Sequence, residues 1–234
     1  VKPADISGSR GIFEILDLTD QELIKEAYNY SRTFSRVGDV VVEEYMSGPE
    51  VSVETLSIDG VCHVIQITDK LTTGAPYYVE MGHSQPTRHS KETIEKIAKV
   101  AKAANRAIGI KNGPSHTEII VTTEGPKVVE LGARLGGDNI TTHLVPLSTG
   151  VNMVECCIKI ALGEKPDIEP KYSKGAAVRY FKQREGVVKN IDGVEDAEKI
   201  SGIQQISIVH GVGEKVTEIT SSGARMGFVI AQSD

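Results

Sequence analysis

Two glutamates on one predicted hairpin have the spacing best suited to chemistry. If Val121 pairs with Lys127 across the turn, Glu118 lies directly opposite Glu130 on one face. Directly opposed Cβ atoms are about 4.5–5.5 Å apart, and two carboxylates that close repel unless a cation lies between them. Two carboxylates with substrate phosphates commonly hold Mg²⁺. The pair therefore predicts a metal site. Two solvent-exposed glutamates are the alternative, since a one-residue slip separates them.

An arginine follows the second glutamate at strand spacing. Alternation along a continuing strand would carry Gly132 and Arg134 to the face of Glu130. A guanidinium there could stabilise negative charge on a transferred phosphoryl group.

Near the start of the chain, a lysine precedes a loop of small residues. The loop reads Ser7, Gly8, Ser9, Arg10 and Gly11, and Lys2 comes five residues before it. Backbone N–H groups of such a loop can cradle phosphate, and lysine adds a point charge. The sequence is neither a Walker A motif nor a GxGxxG motif, so a plain surface turn is the alternative.

A predicted buried strand, 40–44, leads into an extended segment. Backbone groups of such a segment can pair with an adenine edge, and Glu50 could accept hydrogen bonds from ribose hydroxyls. A buried strand with charged ends is the alternative.

The elements that must position these residues alternate along the chain. We predict a helix behind a capping box at Thr19–Glu22 and a hairpin around Asp59-Gly60. A long polar loop is predicted over 69–90, and helices over 91–109 and 151–162. From 171 onward, four short strands surround one short helix: 176–181, 206–209, 215–220 and 227–231, with the helix near 195–200.

Composition restricts the class of protein. The 234 residues include 26 Lys+Arg and 32 Asp+Glu, a net charge of −6, and 39% are hydrophobic. This excludes disordered, collagen-like and disulfide-scaffold chains. Weak acidity disfavours nucleic-acid binding, and no apolar run reaches the roughly 18–20 residues that span a bilayer. Three cysteines without CxxC spacing predict free thiols and a cytoplasmic protein.

Taken in order, these motifs resemble the ATP-grasp superfamily. They read Lys-Pro, Gly-Ser-Arg-Gly, Val-Glu-Glu-Tyr-Met, Gly-Pro-Glu-Val-Ser-Val-Glu, His-Thr-Glu and Val-Val-Glu-Leu-Gly-Ala-Arg-Leu-Gly-Gly-Asp. The resemblance spans the whole chain. It is closest to the branch of L-amino acid ligases, carbamoyl-phosphate synthetase-like proteins and biotin carboxylase. It implies an α+β, ATP-grasp fold of antiparallel sheets with flanking helices, and a small, mostly β C-terminal lobe.

The resemblance also assigns roles to residues. It implies that ATP is bound by the lysine, the loop and the hinge: Lys2, Ser7, Gly8, Ser9, Arg10, Gly11, Glu43, Glu44, Tyr45, Met46, Glu50 and Ile120. Glu118 and Glu130 would bind Mg²⁺ (or Mn²⁺), and Arg134 would stabilise an acyl phosphate. Many relatives have Asn as a further ligand where this chain has Gly132, so water or phosphate oxygen would have to substitute. Candidate substrate contacts are Lys70, Glu80, His83, His116, Gly136 and Gly137, while the strand from Arg225 is assigned a structural role.

The function expected from the resemblance is ATP-dependent carboxylate–amine ligation through an acyl phosphate, with small carboxylates and amines as substrates. Two alternatives stay open: carboxyphosphate or carbamoyl-phosphate chemistry, and a nucleotide-binding fragment without activity. A homodimer also stays open. We expect 1–45 to be the second half of a lid, 46–170 the core and 171–234 the C-terminal lobe. Relatives carry an N-terminal domain and a first lid half before the lysine strand, so we expect a fragment that is inactive alone and binds ATP weakly.

Overall fold

The computed structural model describes residues 1–6 and 8–234, so the predicted phosphate contact of Ser7 lies outside the described residues. The described helices are α1 (Gln21–Phe34), α2 (Lys91–Ile108), a π-helix (Ile140–Leu144), α3 (Val145–Thr149), α4 (Met153–Ala161), α5 (Val194–Glu198) and a 3-10 turn (Ser222–Ala224). The strands are β1 (Lys2–Pro3), β2 (Val40–Val41), β3 (Glu50–Ile58), β4 (Val61–Thr72), β5 (Glu80–Gln85), β6 (Gly113–Thr122), β7 (Gly125–Gly132), β8 (Gly175–Tyr180), β9 (Gly186–Val187), β10 (Ile203–Ile208), β11 (Lys215–Val216) and β12 (Gly227–Ser233).

One eight-stranded sheet dominates the fold. Its order is β10-β12-β8-β5-β4-β3-β6-β7, and every neighbouring pair is antiparallel. The α+β prediction, an antiparallel sheet with flanking helices, is confirmed. Three strands from residues 171–234, β8, β10 and β12, join this same sheet through the pairing of β8 with β5.

The two faces of the sheet differ because side chains alternate along each strand. One face carries Val51, Val53 and Ile119, which pack under Ile97 and Ala101 of α2 in a fully buried cluster. Helix α2 begins behind Ser90, which caps it, and ends at Gly109 in the left-handed conformation, as its sequence predicts.

The opposite face is polar in its middle and apolar toward the α4 side. Leu56 and Ile65 pack there against Val145 and Met153. Beside them on the same face, alternation places the acidic side chains of β3, β6 and β7. The candidate site lies in the polar middle of this face, which we call the polar cleft.

The predicted polar loop over 69–90 is wrong. Strand β4 continues to Thr72, and β5 covers Glu80–Gln85. Lys70, Glu80 and His83 lie on these strands with their side chains toward the polar cleft. Because the cleft face of the strands is polar, the sequence lacks the apolar alternation that predicts a strand.

Other element bounds also shift. Asp20, rather than Thr19, caps α1, because its carboxylate accepts from the amides of Glu22 and Leu23 at 3.0 Å. Thr19 instead donates to Asp17. The helix predicted over 151–162 begins at Met153, behind Asn152. The strand predicted over 215–220 covers only two residues.

Candidate active site

The opposed glutamates occur as predicted, although the turn beside them does not. Glu118 is the direct partner of Glu130. The turn, however, pairs Val121 with Pro126, so the predicted pairing of Val121 with Lys127 is wrong by one residue. A β-bulge between Glu118 and Ile119 absorbs one extra residue and restores the pairing at the glutamates. The bulge therefore decides that the two carboxylates meet.

Glu118 is held by two cationic or polar donors on one oxygen. Lys70 Nζ lies 3.0 Å and His116 Nε2 lies 3.4 Å from Glu118 Oε1. Burial would raise the pKa of Glu118, but the hydrogen bond from His116 and the charge of Lys70 together lower it well below its usual range. Because both donors use Oε1, Oε2 is the oxygen left for a cation.

Lys70 lies at the centre of three carboxylates. Its Nζ is 2.5 Å from Glu50, 3.0 Å from Glu118 and 3.7 Å from Glu80, and its side chain is only 4% exposed. Burial would lower the pKa of Lys70, but these three charges raise it above its usual value. The ammonium is therefore charged and sits between the predicted ribose ligand and the predicted metal ligand.

His116 joins this cluster to a fully buried acid. Its Nδ1 lies 2.6 Å from Glu54 Oε1, and Glu54 is 0% exposed. Burial would lower the pKa of His116, but the charge of Glu54 and the hydrogen bonds raise it to about 9. A Cβ at Gly136 would lie 2.7–2.8 Å from Glu54 and His116. Gly136, predicted to contact substrate, thus lets its loop pass directly over this pair, while a Cβ at Gly137 would meet nothing within 4 Å.

Glu130 is the unneutralised member of the site. Its carboxylate has no hydrogen bond or ion pair with any residue in the described ranges 1–6 and 8–234. Partial desolvation and the charge of Glu118 raise its pKa, against weaker lowering by Lys2, Lys70 and Arg134. These three cations therefore act on the Glu130 carboxylate without forming an ion pair with it.

This donor set fits a divalent cation bound partly by its substrate. Glu130 and Glu118 Oε2 offer two hard oxygen ligands, the usual number for Mg²⁺ held together with phosphates. Within the part of the chain that the structure describes, no three acidic, histidine or cysteine side chains form a closed metal cluster. The geometry suits a cation completed by phosphate oxygens and water.

Arg134 lies two residues beyond the end of β7, the strand predicted to carry it. Strand β7 ends at Gly132, and the exposed Arg134 side chain folds back so that its Cγ and Nε would be 3.1–3.2 Å from a Cβ at Gly132. Its Nη1 donates to Leu135 O at 3.0 Å. The glycine that replaces a potential metal ligand therefore makes room for the arginine.

The residues predicted to form the lid strand and the hinge are joined to each other and to β7 by ion pairs. Lys2 forms an ion pair with Glu43 at 2.8 Å, and Lys127 pairs with Glu44 at 3.0 Å. A Cβ at Gly48 would be 2.2 Å from Val121 O, so the hinge passes in direct contact with β6.

The remaining residues predicted to bind the nucleotide are Ile120, Tyr45 and Met46. Ile120 is the β6 partner of Glu50. The Tyr45 hydroxyl is 3.5 Å from that of Tyr78, and Met46 is partly buried.

The loop of small residues is tied to its surroundings. Ser9 Oγ donates to Tyr78 O at 3.2 Å, and Gly11 O accepts from Ser31 of α1 at 2.8 Å. Gly11 is buried against Phe34. Gly8 and Arg10 lie in the bend and turn around Ser9, where a Cβ at Gly8 would meet nothing within 4 Å.

A second polar cluster lies at the other end of the cleft and includes residues that sequence reasoning missed. Asp138 accepts from both Nη atoms of Arg225 at 2.7 Å and lies 3.3 Å from His83 Nε2. Glu80 accepts from Ser222 Oγ at 3.0 Å. The sequence analysis assigns Arg225 a structural role, and no local pattern connects it to Asp138, which lies 87 residues away.

Two features outside the cleft complete the description. Cys62, Cys156 and Cys157 are free thiols. Among the described residues, no single helix is long and apolar enough to cross a membrane. The segments Ile140–Thr149 and Met153–Ala161, bent by 109°, reach that length and apolarity only together.

The eight-stranded antiparallel sheet with its flanking helices defines the class of fold, and comparison with known families identifies it. Residues 1–142 match the family model of the ATP-grasp domain, and the chain belongs to this family. Residues 168–234 match the L-amino acid ligase C-terminal domain 2.

Individual relatives agree with this family. The chain is 28% identical to the uncharacterized protein y4rH of Sinorhizobium fredii, over 99% of this chain and 48% of that protein. It is 25% identical to the L-arginine-specific L-amino acid ligase of Bacillus subtilis, over 98% and 57%. The crystal structure of L-amino acid ligase from Bacillus licheniformis superposes with a TM-score of 0.79 and 29% identity, over 92% of this chain and 54% of that one. The chain thus spans about half the length of the curated relatives it matches.

Proposed function

We propose that the protein containing this chain is an ATP-dependent carboxylate–amine ligase that works through an acyl phosphate, with amino acids as the substrate class. The observation that carries the proposal is the directly opposed pair Glu118–Glu130, with Lys70 bound to Glu118 and with the charges of Lys2, Lys70 and Arg134 acting on Glu130. The likeness to two L-amino acid ligases supports the choice of substrate.

The chemistry runs in two displacements. An oxygen of the substrate carboxylate attacks the γ-phosphorus of ATP, the bond to the β–γ bridging oxygen breaks, and ADP leaves with the electron pair. The amine then attacks the acyl carbon, the bond from that carbon to the phosphate oxygen breaks, and phosphate leaves as the nitrogen loses a proton. Both steps need positioning and charge neutralisation rather than a protein nucleophile.

The residues divide this work. Mg²⁺ would be held by Glu118 and Glu130 and would supply neutralisation of phosphate charge. Lys2 and Lys70 would add point charges beside it, and the hinge 43–46 with Glu50 would hold the nucleoside. Arg134 would stabilise charge on the transferred group. The second substrate would bind at the end of the cleft that is formed by His83 and Glu80.

The test is ADP release by the full-length protein with pairs of amino acids, under Mg-ATP. Turnover that requires both an acid and an amine is the expected result. Mg-ATP binding without ADP release for any pair would overturn the ligase proposal and favour a nucleotide-binding module. Bicarbonate-dependent ADP release would favour carboxyphosphate chemistry.

Arg134→Met separates binding from chemistry. Because Arg134 is exposed and makes no ion pair with a described residue, its loss should leave ATP affinity within about twofold. The kcat should fall by about 100-fold or more, the size typical of losing one group that stabilises charge in the transition state. Calorimetric ATP binding and product formation measure the two effects. If only ATP affinity fell, the role assigned to Arg134 would be wrong.

A further inference from the structure

We propose that Arg225, supplied by the C-terminal segment 171–234, is a positioning residue that acts through Asp138. It would set the glycine-rich loop 133–139, between β7 and the π-helix, and His83 at the acceptor end of the ligase site, which is the end formed by His83 and Glu80. This inference rests on the proposed function for its catalytic consequence, but its structural part can be tested separately.

The first argument is the way Arg225 is held. Its two Nη atoms each lie 2.7 Å from a different oxygen of Asp138, and its guanidinium stacks on Tyr180 at 3.6 Å from the ring centroid. Nη1 also donates to Glu80 O at 2.9 Å, and Nε donates to Ser222 O at 2.8 Å. The side chain is only 9% exposed. A fork bound on this many sides has one available orientation, and so fixes its partner carboxylate.

The second argument is what Asp138 in turn holds. Its Oδ2, which accepts from Arg225, also lies 3.3 Å from His83 Nε2. Burial would raise the pKa of Asp138, but the hydrogen bonds from Arg225 and His83 lower it below its usual range. The carboxylate is therefore a charged bridge between the C-terminal segment and β5.

The third argument is the backbone at this point. Asp138 and Asn139 are consecutive non-glycine residues in the left-handed region, with φ of 51° and 64°. A π-helix, Ile140–Leu144, begins directly after them. Both features are uncommon and are often found where a functional site fixes the backbone. The bidentate contact anchors the glycine-rich loop, which also carries Arg134, at this unusual turn.

The fourth argument is that the segment carrying Arg225 is itself fixed. Gln183 Nε2 donates to Thr217 O and Ala224 O at 2.7 Å, and its Oε1 accepts from the amide of Met226 at 2.8 Å. Ser222 hydrogen-bonds to Glu80 from the same segment. The C-terminal segment is thus held in place by Gln183, and it contacts both β5 and the glycine-rich loop at the acceptor end.

The alternative is that the ion pair only ties the C-terminal segment to the core. A simple tether needs charge but no particular geometry, so lysine would serve. A positioning role needs the two-pronged fork, so lysine would fail. The variants Arg225→Lys, Arg225→Met and Asp138→Asn separate these roles. Arg184→Met is the matched control, since Arg184 is exposed on the same segment and has no ion pair with a described residue.

The first measurement needs no substrate. Hydrogen–deuterium exchange of the full-length protein should be at least 10-fold faster at amides 137–144 and 80–84 in Arg225→Met and Asp138→Asn, with the rest of the sheet unchanged. Arg184→Met should match wild type. Unchanged exchange at 137–144, or an equal increase over the whole chain, would overturn the positioning role.

The second measurement uses the amino-acid pair that supports wild-type ADP release. Arg225→Met and Arg225→Lys should each lower kcat/KM for the amine by about 100-fold, the cost of an ångström-scale misplacement, and leave KM for ATP within twofold. The Arg225→Met/Asp138→Asn double variant should be no worse than the poorer single variant. Full rescue by lysine, or additive losses, would contradict the proposal. If wild type turns over no pair, the proposed function fails while the exchange experiment still decides the positioning role.

Discussion

At the scale of single residues, Glu130 places function and stability in opposition. Its carboxylate faces that of Glu118 and forms no hydrogen bond or ion pair with the described residues, while partial desolvation and the charge of Glu118 raise its pKa. Opposed like charges destabilise a strand pair by a few tenths to about 1 kcal/mol. A residue that weakens the metal-free fold in this way is explained by a ligand that needs both charges.

Glu130→Gln should therefore stabilise the metal-free protein and abolish its response to Mg-nucleotide. In EDTA we expect the free energy of unfolding to rise by up to about 1 kcal/mol, because the repulsion is removed. The stabilisation that Mg-ADP gives wild type should disappear, and turnover with it. Urea unfolding with and without Mg-ADP measures both effects, with the exposed Glu124→Gln as control. Near-normal turnover in Glu130→Gln would refute the metal assignment.

His116 gives the molecule a pH dependence that can be assigned to one residue. Its pKa is raised from 6.5 to about 9 by Glu54 and Glu118, so the folded state holds a proton that the unfolded state releases earlier. The stabilisation is thus complete below about pH 6.5 and is lost as the pH rises through about 9. At 1.36 kcal/mol per pKa unit, it is on the order of 3 kcal/mol.

His116→Gln should remove this dependence. The gap in unfolding free energy between wild type and variant should be largest at pH 6 and should close by about pH 9.5, measured in EDTA by urea unfolding. A gap that is constant with pH would mean that His116 acts through packing alone.

At the scale of elements, the glycine-rich loop depends on one close approach. Gly136 passes over Glu54 and His116 so closely that a Cβ would lie 2.7–2.8 Å from their atoms, and both are buried and cannot move aside easily. The loop carries Arg134 on one side of this contact and Asp138 on the other. Its position over the cleft is therefore set by the absence of a side chain.

Gly136→Ala should displace this loop, whereas Gly137→Ala should not. We expect the first to cost about 1–3 kcal/mol of stability, the range for overpacking a filled site, and to reduce turnover more than ATP affinity. The neighbouring Gly137 has open space at its Cβ and serves as the control. Thermal unfolding and ADP release measure the effects; equal behaviour of the two variants would show that the close contact is unimportant.

At the scale of the whole molecule, the C-terminal residues complete the main sheet. Strands β8, β12 and β10 extend it beyond β5, and Val178 and Ile230 bury Met81 and Leu144 in a shared core. The predicted boundary at 170/171 stays a prediction for domain organisation. The two parts nevertheless share one sheet and one cluster, and the C-terminal part adds Arg225 to the cleft.

Removing residues 171–234 should therefore damage the rest of the fold. A chain ending at Pro170 would expose the edge of β5 and the apolar surface of Met81 and Leu144, which promotes edge pairing and aggregation. We expect it to be insoluble or to lack cooperative thermal unfolding, measured by calorimetry against residues 1–234. A soluble, cooperatively unfolding 1–170 would show that the C-terminal lobe is independent.

Prediction from sequence succeeded where neighbours along the chain decide the structure. The hairpin around Asp59-Gly60 and helix α2 with its caps at Ser90 and Gly109 follow from local turn chemistry and periodicity. It failed for β5, since polar residues that face a cleft do not alternate with apolar ones. It gave the right partner for Glu118 through a wrong turn register, which a bulge corrected.

By itself, the sequence determined the family and the chemical types of the site: paired acids, cations near them, and an arginine after the second acid. These follow from short motifs whose spacing is fixed by backbone geometry. Only the tertiary structure decided that Lys70 sits among three carboxylates, that Glu54 and His116 support Glu118, and that Arg225 reaches Asp138. Such contacts join strands far apart in the chain, and they depend on the order in which the sheet packs those strands rather than on any local preference.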